Sequence, residues 1–192
     1  MKSTTKRIPA EVSRITLSSG IFFTCFYLYT YIFIEPQLIY HGFGSILKYP
    51  VFSLSWSTFE DYLIMPGGVI KYVSAFLSQL YFFNWLGALI ITLIAWFAYL
   101  GTKTFITSTG NKDSKVLCYI PALFLLMMYN YYEHILSIYL AMTIAVWLSI
   151  FYQRIPWRSS LGRTAAFFII FSVLYYIAVG TSLLFAALAI IY

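Results

Sequence analysis

The residues of this sequence that can do chemistry gather in two short stretches. Glu60 and Asp61 are adjacent acids just before Pro66-Gly67-Gly68, a turn signal. Glu133 and His134 place an acid beside a base at a second turn. His41, Lys71, Gln79 and Asn130 add polar groups around them, and Glu35 stands at the end of the first apolar run. A carboxylate in such a setting can take a proton from a hydroxyl acceptor as a general base. Clustered carboxylate oxygens can also hold a divalent cation. Asp61 and Glu60 are the candidate catalytic residues, with His41, Lys71, Gln79, Glu133 and His134 as candidate substrate-binding residues. Neighbours in a helix point about 100° apart, so one of Glu60 and Asp61 faces any single site. The alternative reading of all these groups is as ordinary polar residues of interfacial loops. No residue pattern matches a metal motif: CxxC and HExxH are absent, and the two cysteines, Cys25 and Cys118, fall in apolar runs as small hydrophobes.

The elements that must position these residues are apolar. The chain is 61% hydrophobic and 9% charged, with a mean hydropathy of +0.83. Soluble domains are roughly 45–50% apolar. Aromatic residues reach 21%, and Tyr and Trp suit a bilayer interface, where an apolar ring and a polar tip are both satisfied. The expected class is an all-α polytopic transmembrane bundle forming a single membrane domain over 1–192. Nothing matches a nucleic-acid motif, and the net charge of +6 arises from basic residues that flank apolar runs.

A run of about 20 apolar residues crosses a hydrocarbon core of roughly 30 Å. Residues 1–14 read as a cytoplasmic tail and 15–34 as the first span, an uncleaved anchor because Glu35-Pro36-Gln37 follows in place of a cleavage site. Residues 35–84 read as a large outer loop with interfacial helices. Within it, 69–83 carries a polar stripe of Lys71, Ser74, Ser78 and Gln79. Further spans are expected at 85–106, 116–132 and 135–152, the third containing Pro121 as a candidate kink. The run 164–192 exceeds one untilted span and is interrupted at Gly180-Thr181-Ser182. It is either one kinked helix or a fifth span followed by the start of a sixth, giving about five to six spans in all. It reaches Tyr192 without a polar cap, which suggests the N-terminal part of a longer protein.

With the N-terminus in the cytoplasm, ten of the twelve Lys and Arg fall on that side and only Lys48 and Lys71 on the other. The positive-inside rule therefore predicts a multi-pass protein of the inner membrane with a cytoplasmic N-terminus. No span carries a charge at its centre, which argues against a proton pump or ion channel. No internal repeat points to an inverted-repeat transporter.

A cytoplasmic N-terminus, a long first outer loop with acids and juxtamembrane helices over a bundle resembles the C-type membrane glycosyltransferases, which use polyprenyl-phosphate-linked sugars. That resemblance implies a catalytic acid at Asp61, with Glu60 beside it and Glu35 as its rival. It also implies the lipid bilayer and a polyprenyl-linked sugar as partners. A non-enzymatic scaffold or transporter component is the alternative. The stretches EPQLIYHGFG and MPGGVIKYVSAFLSQLYFFNWLGALIITL are in turn similar to a group of uncharacterised Bacteroidota polytopic membrane proteins. The residues concerned are Gln37, Tyr40, His41, Pro66, Gly67, Gly68, Tyr72, Phe76, Leu77, Gln79 and Gly87-Ala88-Leu89-Ile90. This second resemblance implies location and no particular chemistry.

Overall fold

A computed structural model describes residues 10–39, 54–108, 116–131, 136–156 and 159–191. Among these residues the regular structure is entirely helical, as the apolar periodicity predicts. The helices are α1 (Ala10–Tyr29), α2 (Trp56–Leu63), α3 (Gly68–Gln79), α4 (Asn84–Ser108), α5 (Ile120–Tyr129), α6 (Leu136–Arg154), α7 (Ser160–Ala178) and α8 (Ser182–Ile191). A π-helical turn, Thr30–Ile34, extends α1. Among the described residues, four stretches are long and apolar enough to cross a membrane: Leu17–Ile34, Asn84–Ser108, Leu136–Arg154 and Ser160–Ile190. Leu117–Tyr129 is apolar but shorter.

Local chemistry sets the boundaries. Ser55 caps α2 by accepting the backbone N–H of Thr58 at 3.2 Å. Ser159 caps α7 through the N–H of Gly162 at 3.0 Å. Each hydroxyl satisfies one of the orphan donors of a first turn. Pro121 does not kink a span: it lies in the first turn of α5, where its missing N–H costs nothing. A 3-10 turn, Leu117–Tyr119, leads into it.

Contacts at the helix ends fix an up-and-down order. The end of α1 meets the start of α4, where Asn84 Nδ2 donates to the Tyr31 carbonyl at 3.0 Å. The middle of α1 packs on the 3-10 turn that leads into α5, where the Phe22 and Tyr119 rings are 4.7 Å apart. Tyr152, late in α6, donates to the carbonyl of Arg163 in the first turns of α7. Two cores result. Phe23, Phe26, Ile91, Ala95, Tyr99 and Leu125 join α1, α4 and α5. Ile70, Ala145, Leu174 and Phe185 join α3, α6, α7 and α8. Leu140 on α6 packs against both.

The last apolar run folds back on itself. Phe185 stacks on Phe167 at 5.7 Å, although 18 residues separate them in sequence. A continuous helix would hold them about 27 Å apart. Gln153 Nε2, at the end of α6, donates to the Leu188 carbonyl at 3.2 Å. The chain therefore reverses at the 3-10 turn Val179–Thr181, where Val179 takes φ 48°. The run is thus two helices, α7 and α8, joined by a turn.

Candidate functional site

The site begins with the connection between α1 and α4. Pro66, Gly67 and Gly68 reverse the chain so that α2 and α3 form a hairpin, closed by Phe59 and Tyr62 against the ring of Tyr72 at 5.0 and 5.6 Å. Gly67 sits at φ 78°, a conformation glycine adopts without cost. The hairpin is latched to the end of α7. The Gly67 N–H donates to the Tyr176 carbonyl at 2.7 Å, and the Tyr176 hydroxyl donates to the Leu63 carbonyl. Ser74, Ala75 and Ser78 form the buried face of α3. Half of the polar stripe read from sequence is therefore a close-packing surface of small residues.

This hairpin presents Glu60, Asp61 and Lys71 to the exterior, all three exposed. Glu60 Oε1 accepts the indole N–H of Trp56 one turn earlier. Asp61 points off a neighbouring position of the same helix. Gln79 is half-buried at the end of α3. Burial against the hairpin pushes the Tyr62 hydroxyl above its ordinary pKa. His41, Glu133 and His134 lie outside the described residues. Among the described residues no group of three His, Cys, Asp or Glu gathers to hold a metal.

Glu35 occupies a second exposed position at the same end of the bundle. It caps the π-helical turn at φ 45°, ψ 77°. Left-handed backbone in a non-glycine residue costs of order 1–3 kcal/mol and gathers at functional sites. The surroundings hold it there. Pro36 packs so closely on Gly87 that a side-chain carbon at 87 would come within 2.6 Å of it. Gln37 Nε2 donates to the Phe82 carbonyl at 2.8 Å.

Sequence reasoning passed over two features. Tyr81 and Tyr129 are buried in contact with each other beneath this end, where burial foremost, then the Tyr129 hydroxyl, pushes the Tyr81 hydroxyl well up. Tyrosines are so frequent here that neither position stood out. The second feature lies in the apolar body. Ile94, Phe97, Leu140, Trp147 and Phe151 line an open groove of about 580 Å3 between α4 and α6. A smaller one, about 270 Å3, lies between Pro121, Phe124 and Met142. Runs of apolar residues do not announce which gaps packing will leave.

Among the described residues, the fold and its polar end define a helical bundle with four membrane-length apolar stretches and an acidic hairpin between the first and second. The chain belongs to a family of unknown function, DUF6057, whose match covers residues 11–192. No curated protein and no solved structure matches it.

Proposed function

We propose that the protein is an inner-membrane, multi-pass enzyme of the glycosyltransferase type, with a cytoplasmic N-terminus and a polyprenyl-phosphate-linked sugar as donor. The observation that carries this reading is the hairpin itself. Two exposed carboxylates stand on a structured pair of short helices, between the first and second long apolar helices and latched to a third. A general base needs a fixed geometry more than it needs burial. Asp61, exposed on that hairpin, takes the proton of an acceptor hydroxyl as the oxygen attacks the anomeric carbon. The bond to the polyprenyl phosphate breaks as the new bond forms, and the phosphate keeps the electron pair. Lys71, on the facing helix, meets the phosphate charge. Glu60, engaged by Trp56, is the less available of the two adjacent acids. Glu35 is the rival base, supported by its strained backbone at the same end.

The test is sugar transfer by the full-length protein in membranes, supplied with polyprenyl-phosphate sugars. Asp61→Asn should lower turnover by about 100-fold or more while insertion stays normal. Full activity in Asp61→Asn, with loss in Glu35→Gln, moves the base to Glu35. Full activity in both variants removes the enzyme reading. A second reading, a non-enzymatic scaffold or transporter component, draws support from one observation: both grooves are lined almost wholly by apolar side chains. It predicts a stoichiometric protein partner that co-purifies regardless of Asp61.

A further inference from the structure

We propose that the groove between α4 and α6, with Arg154 at its mouth, is a binding site for an anionic phospholipid. This goes beyond the reading of Asp61, and Arg154 lies at the opposite end of the bundle from it. The groove follows one face of α6. Leu140, Ile144, Trp147 and Phe151 recur at spacings of three and four, which is one stripe of an α-helix. The next position of that stripe is Arg154, exposed in the last turn. The stripe therefore places Arg154 about one turn beyond Phe151, the last lining residue on α6. The acids whose side chains are described, Glu35, Glu60 and Asp61, all lie at the other end of the bundle.

Size and polarity set the occupant. From Leu140 to Phe151 the groove runs about 16 Å along α6. That is about half of a 30 Å hydrocarbon core, the depth of one leaflet. Its volume of about 580 Å3 is in the range of ligand sites. The indole N–H of Trp147 is already used, donating to the Phe97 carbonyl at 3.2 Å across the floor. Thr143 Oγ1 is likewise used, by the Tyr139 carbonyl at 2.9 Å. The lining thus offers almost nothing to a polar ligand. An acyl chain fits it, and a guanidinium pairs with a headgroup phosphate and the charge beyond it.

The experiment is native mass spectrometry of the full-length protein in mild detergent. Phosphatidylglycerol or phosphatidylcholine with identical chains is titrated in. Phosphatidylglycerol should bind about fivefold more tightly, the share one basic residue contributes near an anionic headgroup. Arg154→Gln should abolish that preference and Arg154→Lys should keep most of it. Ile144→Trp, which fills the groove, should weaken both lipids. Equal affinity for the two lipids overturns the proposal. So does a preference that survives Arg154→Gln, displacement of phosphatidylglycerol by polyprenyl phosphate, or a second copy of the chain in place of lipid. Displacement by polyprenyl phosphate would also move the donor site away from Lys71, whereas the other outcomes leave the reading of Asp61 as it stands.

Discussion

At Gly68 the carbonyl oxygen of Tyr62 occupies the space where a side chain would begin. A methyl group there would lie 1.6 Å from it. The obstacle is backbone, so rotamer changes cannot relieve it. At Gly67 the neighbour is the end of a side chain, Val179 Cγ2 at 2.8 Å, but φ 78° already disfavours any larger residue. Gly68→Ala should therefore cost at least about 2 kcal/mol, since overpacking against an unyielding wall must move the chain. Detergent-denaturation curves of the purified protein check this. A Gly68→Ala protein as stable as wild type would show that α2 and α3 do not approach this closely. Gly180→Ala is the contrasting case, because nothing lies within 4 Å of the added carbon.

At the scale of elements, the fold was legible where one residue type repeats and obscure where a turn decides. The apolar runs at 85–106 and 135–152 announce long helices, because nothing polar interrupts them. The Pro66-Gly67-Gly68 turn was equally plain, as proline and glycine have few other uses in such company. The reversal at Val179–Thr181 was not. Its strained residue is a valine, a β-branched side chain that rarely takes positive φ. Gly180 beside it is compatible with a kink or a turn. What decides is the packing of Phe185 on Phe167 and Tyr152, and sequence periodicity carries no such long-range pairing. The candidate site was half legible for the same reason. Acid and base positions are visible in sequence, but the latch from Tyr176 to Leu63 joins residues 113 apart. The reversal has a direct test after replacement of Cys25 and Cys118. A membrane-impermeant maleimide applied from the side of the hairpin should label Gly180→Cys and leave Ile190→Cys untouched. A straight helix over 160–190 would carry residue 190 about 15 Å past residue 180 and into water. Labelling of both positions from that side would therefore refute the hairpin.

The charges whose side chains are described divide unevenly between the two ends. The order of the helices puts Lys103, Arg154 and Arg163 at the end shared by the finish of α4, the finish of α6 and the start of α7. Glu35, Glu60, Asp61 and Lys71 share the other end with the hairpin and the start of α4. A soluble protein gains nothing from such a separation, because water solvates either sign on any face. A bilayer with a negative cytoplasmic surface does distinguish them, and Lys and Arg near the ends of apolar helices set orientation. The basic end should then be cytoplasmic and the acidic hairpin should face the envelope side, where a lipid-linked sugar would meet it. Single cysteines in a Cys25→Ala, Cys118→Ala background decide this. Gln37→Cys and Ile64→Cys should react with an impermeant maleimide in intact spheroplasts. Ser108→Cys and Arg163→Cys should react only after permeabilisation. The reverse pattern would invert the protein and place Asp61 in the cytoplasm, away from any envelope acceptor. Reaction of all four from one side would mean that the long apolar helices do not cross the bilayer. Both the orientation and the lipid site at Arg154 would then lose their physical basis, since each depends on opposite ends of α6 meeting different leaflets.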